Sequence, residues 1–205
     1  MTNKSIENAT VIIDTGVCNL TSVYQALIRV TDNVIVASDA ETISNSARIL
    51  LPGVGAAPAG MKSLNDLDLI NVIQNLKQPV LGICLGMQLL TRSSTEGGVL
   101  TDCLNLIPTD IIELECHEQS LPHMGWNKLL DFERHPIFAG LDAKSFAYFV
   151  HSFCAPVSAF TIATCEYGQR FSAGITHNNF IGLQFHPEKS STIGSKILSN
   201  FCAMR

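Results

Sequence analysis

Cys84 stands inside Gly82-Ile83-Cys84-Leu85-Gly86-Met87-Gln88, directly after the apolar run Pro79-Val80-Leu81. The pattern predicts a buried strand, a tight turn carrying one cysteine, and a helix that starts at Leu85-Gly86. A strand-to-helix elbow of this form holds a nucleophile at the mouth of an α/β sheet, with glycines on either side so that the backbone can turn sharply. The first turn of such a helix presents unpaired N–H groups that favour negative charge. Read alone, the segment fits a buried structural cysteine as well as a nucleophile.

A second segment changes the balance. Gly182-Leu183-Gln184-Phe185-His186-Pro187-Glu188-Lys189-Ser190 follows about a hundred residues later. A cysteine nucleophile needs a base to take its proton and a third group to orient that base. His186 and Glu188 are the residue types for those two roles. Pro187 fixes its own φ and biases His186 towards an extended backbone, which sends side chains 186 and 188 off the same side of the chain. Taken singly, the segment also fits an ordinary strand end. The order of cysteine, histidine and then a carboxylate argues against an α/β-hydrolase, in which the acid precedes the histidine. It also argues against a papain-like arrangement, which uses asparagine and an early cysteine.

These residues resemble the class I (triad) glutamine amidotransferases, and the likeness runs over nearly the whole chain. The cysteine elbow and the His-Pro-Glu segment are common to that class. Leu51-Pro52-Gly53-Val54-Gly55, Pro122-His123-Met124-Gly125-Trp126-Asn127 and Tyr148-Phe149-Val150-His151-Ser152 are similar to one branch, the glutaminase subunits of imidazole glycerol phosphate synthases. The competing readings are the glutaminase of anthranilate or aminodeoxychorismate synthase, and a non-catalytic binding subunit of the same fold. The first of these would not carry the Pro-His-Met-Gly-Trp-Asn and Tyr-Phe-Val-His-Ser segments.

The resemblance implies hydrolysis of glutamine to glutamate and ammonia, with Cys84 as nucleophile, His186 as base and Glu188 as its orienting partner. It implies an oxyanion hole made by Leu85 together with Val54 and Gly55, the Val54 peptide rotating to offer its N–H. Glutamine contacts are implied for Gly53, Gly55, Gln88 and the backbone around His151, Ser152 and Phe153. The implied partner is a (βα)8-barrel cyclase that forms a heterodimer with the glutaminase. It receives the ammonia and converts phosphoribulosylformimino-AICAR phosphate into imidazole glycerol phosphate and AICAR ribotide. Asn19, Met124, Trp126 and Lys189 are the expected contacts with that partner. No cofactor and no metal is expected. Four positions depart from the usual family pattern: within Asp14-Thr15-Gly16-Val17-Cys18-Asn19, Thr15 replaces a tyrosine and Cys18 a glycine, Ala57 replaces a frequent phenylalanine, and Phe153 replaces a frequent tyrosine.

Composition agrees with an enzyme of this kind. The 205 residues are enough for one α/β domain spanning 1–205, and no shift in composition marks a second. Hydrophobic residues make up 46% of the chain and charged residues 15%, which allows a large core and an apolar interface. A net charge of −5 gives no electrostatic footprint for nucleic acid. Nothing apolar is long enough to span a bilayer, and the first residues lack the apolar core of a leader. The seven cysteines contain no CxxC pair, which suits reduced thiols in the cytoplasm. Cys116-His117 and Cys154 lack the spacing of a zinc site.

The elements that must position the chemistry follow from hydrophobic spacing. Strands are expected at 9–13, 34–37, 49–51 and 79–83, alternating with helices at 20–30, from 38, over 58–77 and at 85–91. That alternation predicts an α/β fold with a mostly parallel central sheet covered by helices on both faces, flavodoxin-like as in the family. Short strands near 111–114, 128–130, 146–150, 161–167, 171–176 and 180–185 read as antiparallel additions, closed by a helix over 192–203.

Overall fold

A strand whose every residue is apolar can be buried only if helices cover both faces of its sheet. In the computed structural model, which describes residues 5–16, 20–132 and 134–205, this rule organises the first half of the chain. The elements there are β1 (Thr10–Ile13), α1 (Leu20–Leu27), β2 (Val34–Ala37), α2 (Ala40–Ser44), β3 (Arg48–Gly53), α3 (Ala57–Asp66), α4 (Ile70–Gln74), β4 (Val80–Cys84) and α5 (Leu85–Leu90). The remainder comprises β5 (Thr91–Ser94), β6 (Thr101–Asp102), β7 (Ile107–Glu113), β8 (His123–Lys128), β9 (Phe146–His151), β10 (Phe153–Cys154), β11 (Thr161–Tyr167), β12 (Gln169–His177), β13 (Phe180–Leu183) and α6 (Ser191–Cys202).

The main sheet has the order β11-β12-β13-β4-β3-β1-β2. β2, β1, β3, β4 and β13 run parallel, and β12 and β11 close the far edge antiparallel. Alternate residues feed two cores. Ile12, Leu50, Leu81 and Ile83 pack with Val23 and Leu27 of α1 and with Ile197, Leu198 and Phe201 of α6. Val11, Ile13, Ile49, Leu51 and Val80 pack instead with Ile43, Leu64, Ile73, Met87 and Leu89 from α2 to α5. Helices therefore cover both faces, as the alternation in the sequence required.

Several details differ from the expectations. The helix expected over 58–77 is two helices, because the chain turns at Asp68, whose φ is +55°. The first helix stops at Leu27 rather than Val30. The strand expected at 128–130 lies earlier, at His123–Lys128, since it pairs with β9, while Leu130 makes only an isolated bridge to Thr164. The later strands do not all join the main sheet: β7 belongs to a sheet ordered β10-β7-β5-β6, and β8 and β9 form a separate hairpin. Of the last three strands, β13 runs parallel to β4 and only β11 and β12 are antiparallel additions.

The turn between β12 and β13 places β13 beside β4, and with it everything that follows. Asn178 takes φ +54°, a conformation asparagine tolerates. Asn179 donates to the carbonyls of Leu76 and Gln78 at 3.1 and 2.8 Å, which ties the turn to the start of β4.

Candidate active site

Cys84 ends β4 and precedes α5 with φ +53° and ψ −110°. A non-glycine residue held there costs roughly 1–3 kcal/mol and persists only where the surroundings enforce it. The surroundings are α5 packed hard onto the sheet. A Cβ on Gly82 would lie 2.6 Å from the Gly86 carbonyl oxygen, and one on Gly86 would lie 1.8 Å from the Leu51 carbonyl oxygen. The flanking glycines are thus required for close approach, whereas the unusual turn falls on the cysteine itself. The thiol donates to the carbonyl of Val150 on β9, 3.9 Å away.

His186 is brought to the same end of the sheet by β13, which pairs with β4 in register from Phe180–Val80 to Leu183–Ile83. Its side chain is buried and its Nδ1 lies 2.8 Å from Glu188 Oε1 across a single 3-10 turn, Pro187–Lys189. Its Nε2 has no hydrogen-bond partner among the described residues. Burial pushes the imidazolium down, but the Cys84 sulfur and the Glu188 carboxylate beside it outweigh that and lift its pKa to about 10. The sequence-predicted nucleophile, base and carboxylate are therefore side by side.

The backbone of His186 is held as firmly as its ring. Its N–H donates to the Tyr148 carbonyl at 2.9 Å. Ser190, fully buried, donates from Oγ to the His186 carbonyl at 2.6 Å and accepts from Tyr148 N–H at 2.9 Å. Sequence reading missed this role, and its only signal was the place of Ser190 inside the His-Pro-Glu segment.

Gly53 pairs with Cys84 across β3 and β4, which puts the loop Val54-Gly55 beside the elbow. A Cβ on Gly53 would meet Leu85 Cβ at 2.9 Å, whereas Gly55, at φ +93°, has open space around it. Val54 is about half exposed. Gln88 is buried on α5 and donates from Nε2 to the Phe153 carbonyl at 3.4 Å, and its Oε1 has no partner among the described residues. His151 and Phe153 are joined by a hydrogen bond from His151 Nδ1 to the Phe153 carbonyl at 2.9 Å, and the Ser152 carbonyl accepts from Leu114 N–H. Glu96, which the sequence reading overlooked, accepts from Ala57 N–H at 3.3 Å, two residues beyond Gly55. Burial raises the pKa of its carboxyl. Only the fold carries that signal, since Glu96 sits in an unremarkable Thr-Glu-Gly-Gly turn.

Of the four residues expected to meet a partner, Met124 and Trp126 project from β8 with 62% and 54% of their surfaces exposed. Trp126 meets Tyr148 edge-on, and Lys189 Nζ lies 5.8 Å from the Tyr148 ring centre, so an exposed strip connects β8 to the His186 turn. Asn19 and Cys18 lie outside the described residues.

The model of the glutamine amidotransferase class-I family matches residues 11–204. The chain belongs to the class-I glutamine amidotransferases. Among curated relatives it is 55% identical to the imidazole glycerol phosphate synthase subunit HisH of Shewanella sediminis (strain HAW-EB3), over 97% of this chain and 92% of that one. It is 45% identical to the protein of that name from Vibrio cholerae serotype O1 (strain ATCC 39315 / El Tor Inaba N16961), over 93% and 96% of the two chains. Among solved structures, the glutaminase domain of Trypanosoma brucei CTPS superimposes with TM-score 0.63 at 16% identity, covering 95% of this chain and 92% of that one. At that identity the likeness concerns the amidotransferase fold, and the flavodoxin-like architecture agrees with it.

Proposed function

We infer that this chain is the glutaminase subunit of an imidazole glycerol phosphate synthase, working in L-histidine biosynthesis in the cytoplasm. The observation that carries the chemistry is a strained, buried Cys84 against His186, whose ring is bonded at 2.8 Å to Glu188. The observation that carries the branch is 55% identity over 97% of the chain to a protein of that name. No helix among the described residues is long and apolar enough to cross a membrane.

In this reading Cys84 attacks the side-chain amide carbon of glutamine as His186 takes the thiol proton. His186 then gives that proton to the leaving nitrogen, and ammonia departs. Glu188 fixes the Nδ1–H tautomer and stabilises the imidazolium. Water, activated by His186, hydrolyses the thioester to glutamate. The Leu85 N–H, first in its helix, and an N–H from Val54-Gly55 stabilise the oxyanion, each donor contributing ~3 kcal/mol. Gly53, Gln88 and the 151–153 backbone hold the substrate, and the Glu96 carboxylate supplies a charge suited to its α-ammonium group. Ammonia leaves for a (βα)8-barrel cyclase docked on Asn19, Met124, Trp126 and Lys189, which shields it from protonation in bulk water.

The deciding assay is glutamine turnover by the chain alone and in complex with a cognate cyclase loaded with its ligand. Low turnover alone and strong stimulation in the loaded complex are expected, and equal rates would refute a gated oxyanion hole. A glutamine-analogue electrophile should label Cys84 first. Burial holds the thiols of Cys154 and Cys165 at about 12 and that of Cys103 at about 11, so these stay protonated. Gly55→Ala, strained at φ +93° but free of steric contact, should lower stimulated turnover by roughly a hundredfold while complex formation persists. Turnover kept at the unsubstituted level would remove the loop from the oxyanion hole.

A further inference from the structure

Two buried histidines lie outside the triad. His123 on β8 and His151 on β9 face each other in the hairpin register. The His123 ring stacks on Phe149 and Tyr167, at centroid distances of 4.9 and 4.1 Å. His123 Nδ1 lies 3.0 Å from His151 Nε2, and His151 Nδ1 lies 2.9 Å from the Phe153 carbonyl oxygen. On the other side, Asn127 Nδ2 lies 3.2 Å from His123 Nε2.

The chemistry of the groups fixes every hydrogen in this row. A carbonyl oxygen only accepts, so His151 Nδ1 carries the hydrogen and its Nε2, in a neutral ring, accepts. His123 Nδ1 must then donate, which leaves His123 Nε2 to accept from the Asn127 amide. Asn127 is oriented independently: its Nδ2 also donates to the Glu166 carbonyl at 2.9 Å, and its Oδ1 accepts from Lys128 N–H at 2.7 Å. All the donors point towards Phe153. A second proton on either ring would set N–H against N–H, and burial keeps both neutral, pushing His123 down to about 4 and His151 to about 3.

The Phe153 carbonyl at the end of the row also receives the Gln88 Nε2 donor. That contact turns the Gln88 amide so that its Oε1 is the buried acceptor without a partner among the described residues. We propose that His123 and His151 are positioning residues for glutamine: their one-way row of hydrogen bonds fixes the Phe153 carbonyl and thereby sets the Gln88 amide with its oxygen towards the substrate. The proposal rests on the glutaminase reading of this site. His151 then acts through the Phe153 carbonyl, not as a second base.

The row makes a spectroscopic demand that no merely space-filling pair would meet. In the full chain labelled with ¹⁵N-histidine, both rings should be neutral Nδ1–H tautomers at pH 7, and an Nε2–H tautomer or a cation at either position overturns the proposal. In complex with its cyclase, His123→Phe keeps a ring for Phe149 and Tyr167 but removes the bonds. It should raise the KM for glutamine roughly tenfold and change kcat less than about threefold. His123→Asn, which returns a donor near the Nδ1 position, should recover most of that loss. An unchanged KM in His123→Phe, or a loss confined to kcat, overturns the proposal. If His123→Phe does not fold, the tautomers of the unsubstituted chain still decide. An unsubstituted complex that fails to hydrolyse glutamine would instead refute the glutaminase reading, before any variant is made.

Discussion

His186 and His123 are each 3% exposed and His151 is 6% exposed, so burial opposes the charge of all three rings. Their neighbours then divide them. His186 has a carboxylate on one nitrogen and a thiol near the other, and its pKa is lifted to about 10. The pair has aromatic rings, a carbonyl and each other, and the two pKa values fall to about 4 and about 3. Desolvation thus sets a common starting penalty, while a charged neighbour a few ångströms away decides the protonation state. On the proposed reading, one site exchanges protons and the other holds them still.

Linkage gives the two sites opposite signatures. A raised folded pKa makes His186 stabilising below its unfolded value near 6.5, and that contribution is lost as pH rises towards about 10. The lowered values of His123 and His151 contribute stability above about 6.5 that is lost as pH falls towards about 4 and about 3.

The strongest test of the contrast removes the sulfur. Cys84→Ala should lower glutamine-dependent synthesis by roughly 10⁴-fold or more, with ammonia-dependent synthesis by the complex retained. It should also lower the His186 pKa, because contact with that sulfur is the leading cause that lifts it. An assay with both nitrogen donors and an NMR titration of His186 read the two effects. Substantial remaining glutaminase, or an unmoved titration, would erase the distinction between the two kinds of buried histidine.

Next in size are the other members of the proposed triad. His186→Ala should cost nearly as much as Cys84→Ala, and the double variant should be little worse, since members of one relay are not additive. Glu188→Gln should fold and cost less, roughly a hundredfold, because Glu188 orients the ring without carrying the transferred proton. Full additivity in the double variant would show that the two residues act apart.

The smallest effect belongs to the neutral pair. Going from pH 7 to pH 5, His123→Phe should lose about 2 kcal/mol less stability than the unsubstituted chain, because one buried neutral histidine no longer resists protonation. Urea unfolding at the two pH values measures it. Equal losses would mean that His123 is not held neutral by the fold.

The proposed triad was legible in the sequence because its signals are local. The elbow needs a run of apolar residues and glycines beside one cysteine, and Pro187 sets His186 and Glu188 on one side of the chain. The parallel half of the sheet was legible for a similar reason: strands buried on both faces must be nearly continuous apolar runs, as at Val80–Cys84 and in Val11, Ile12 and Ile13 of β1. The second half was read less well. Alternation identified strands there but carried no information on which sheet each joins, so β7, β8 and β9 were assigned to the wrong one. β8 was also placed several residues late, because Met124 and Trp126 face outwards and leave no apolar stripe to mark it.

The order of residues settles which chemical groups exist and which lie close along the chain: a thiol in a strand-to-helix turn, an imidazole two residues from a carboxylate, a loop rich in glycine. What each group became was left to the packing of the folded chain. Packing bent the backbone at Cys84 itself rather than at its glycines, because Gly82 and Gly86 are consumed by the contact of α5 with the sheet. It set His123 opposite His151, 28 residues away, and brought Ser190 under His186. The physical reason is range: hydrogen bonds and desolvation act over a few ångströms in space, so the protonation state of a buried ring depends on strand register and helix packing rather than on its neighbours in the chain.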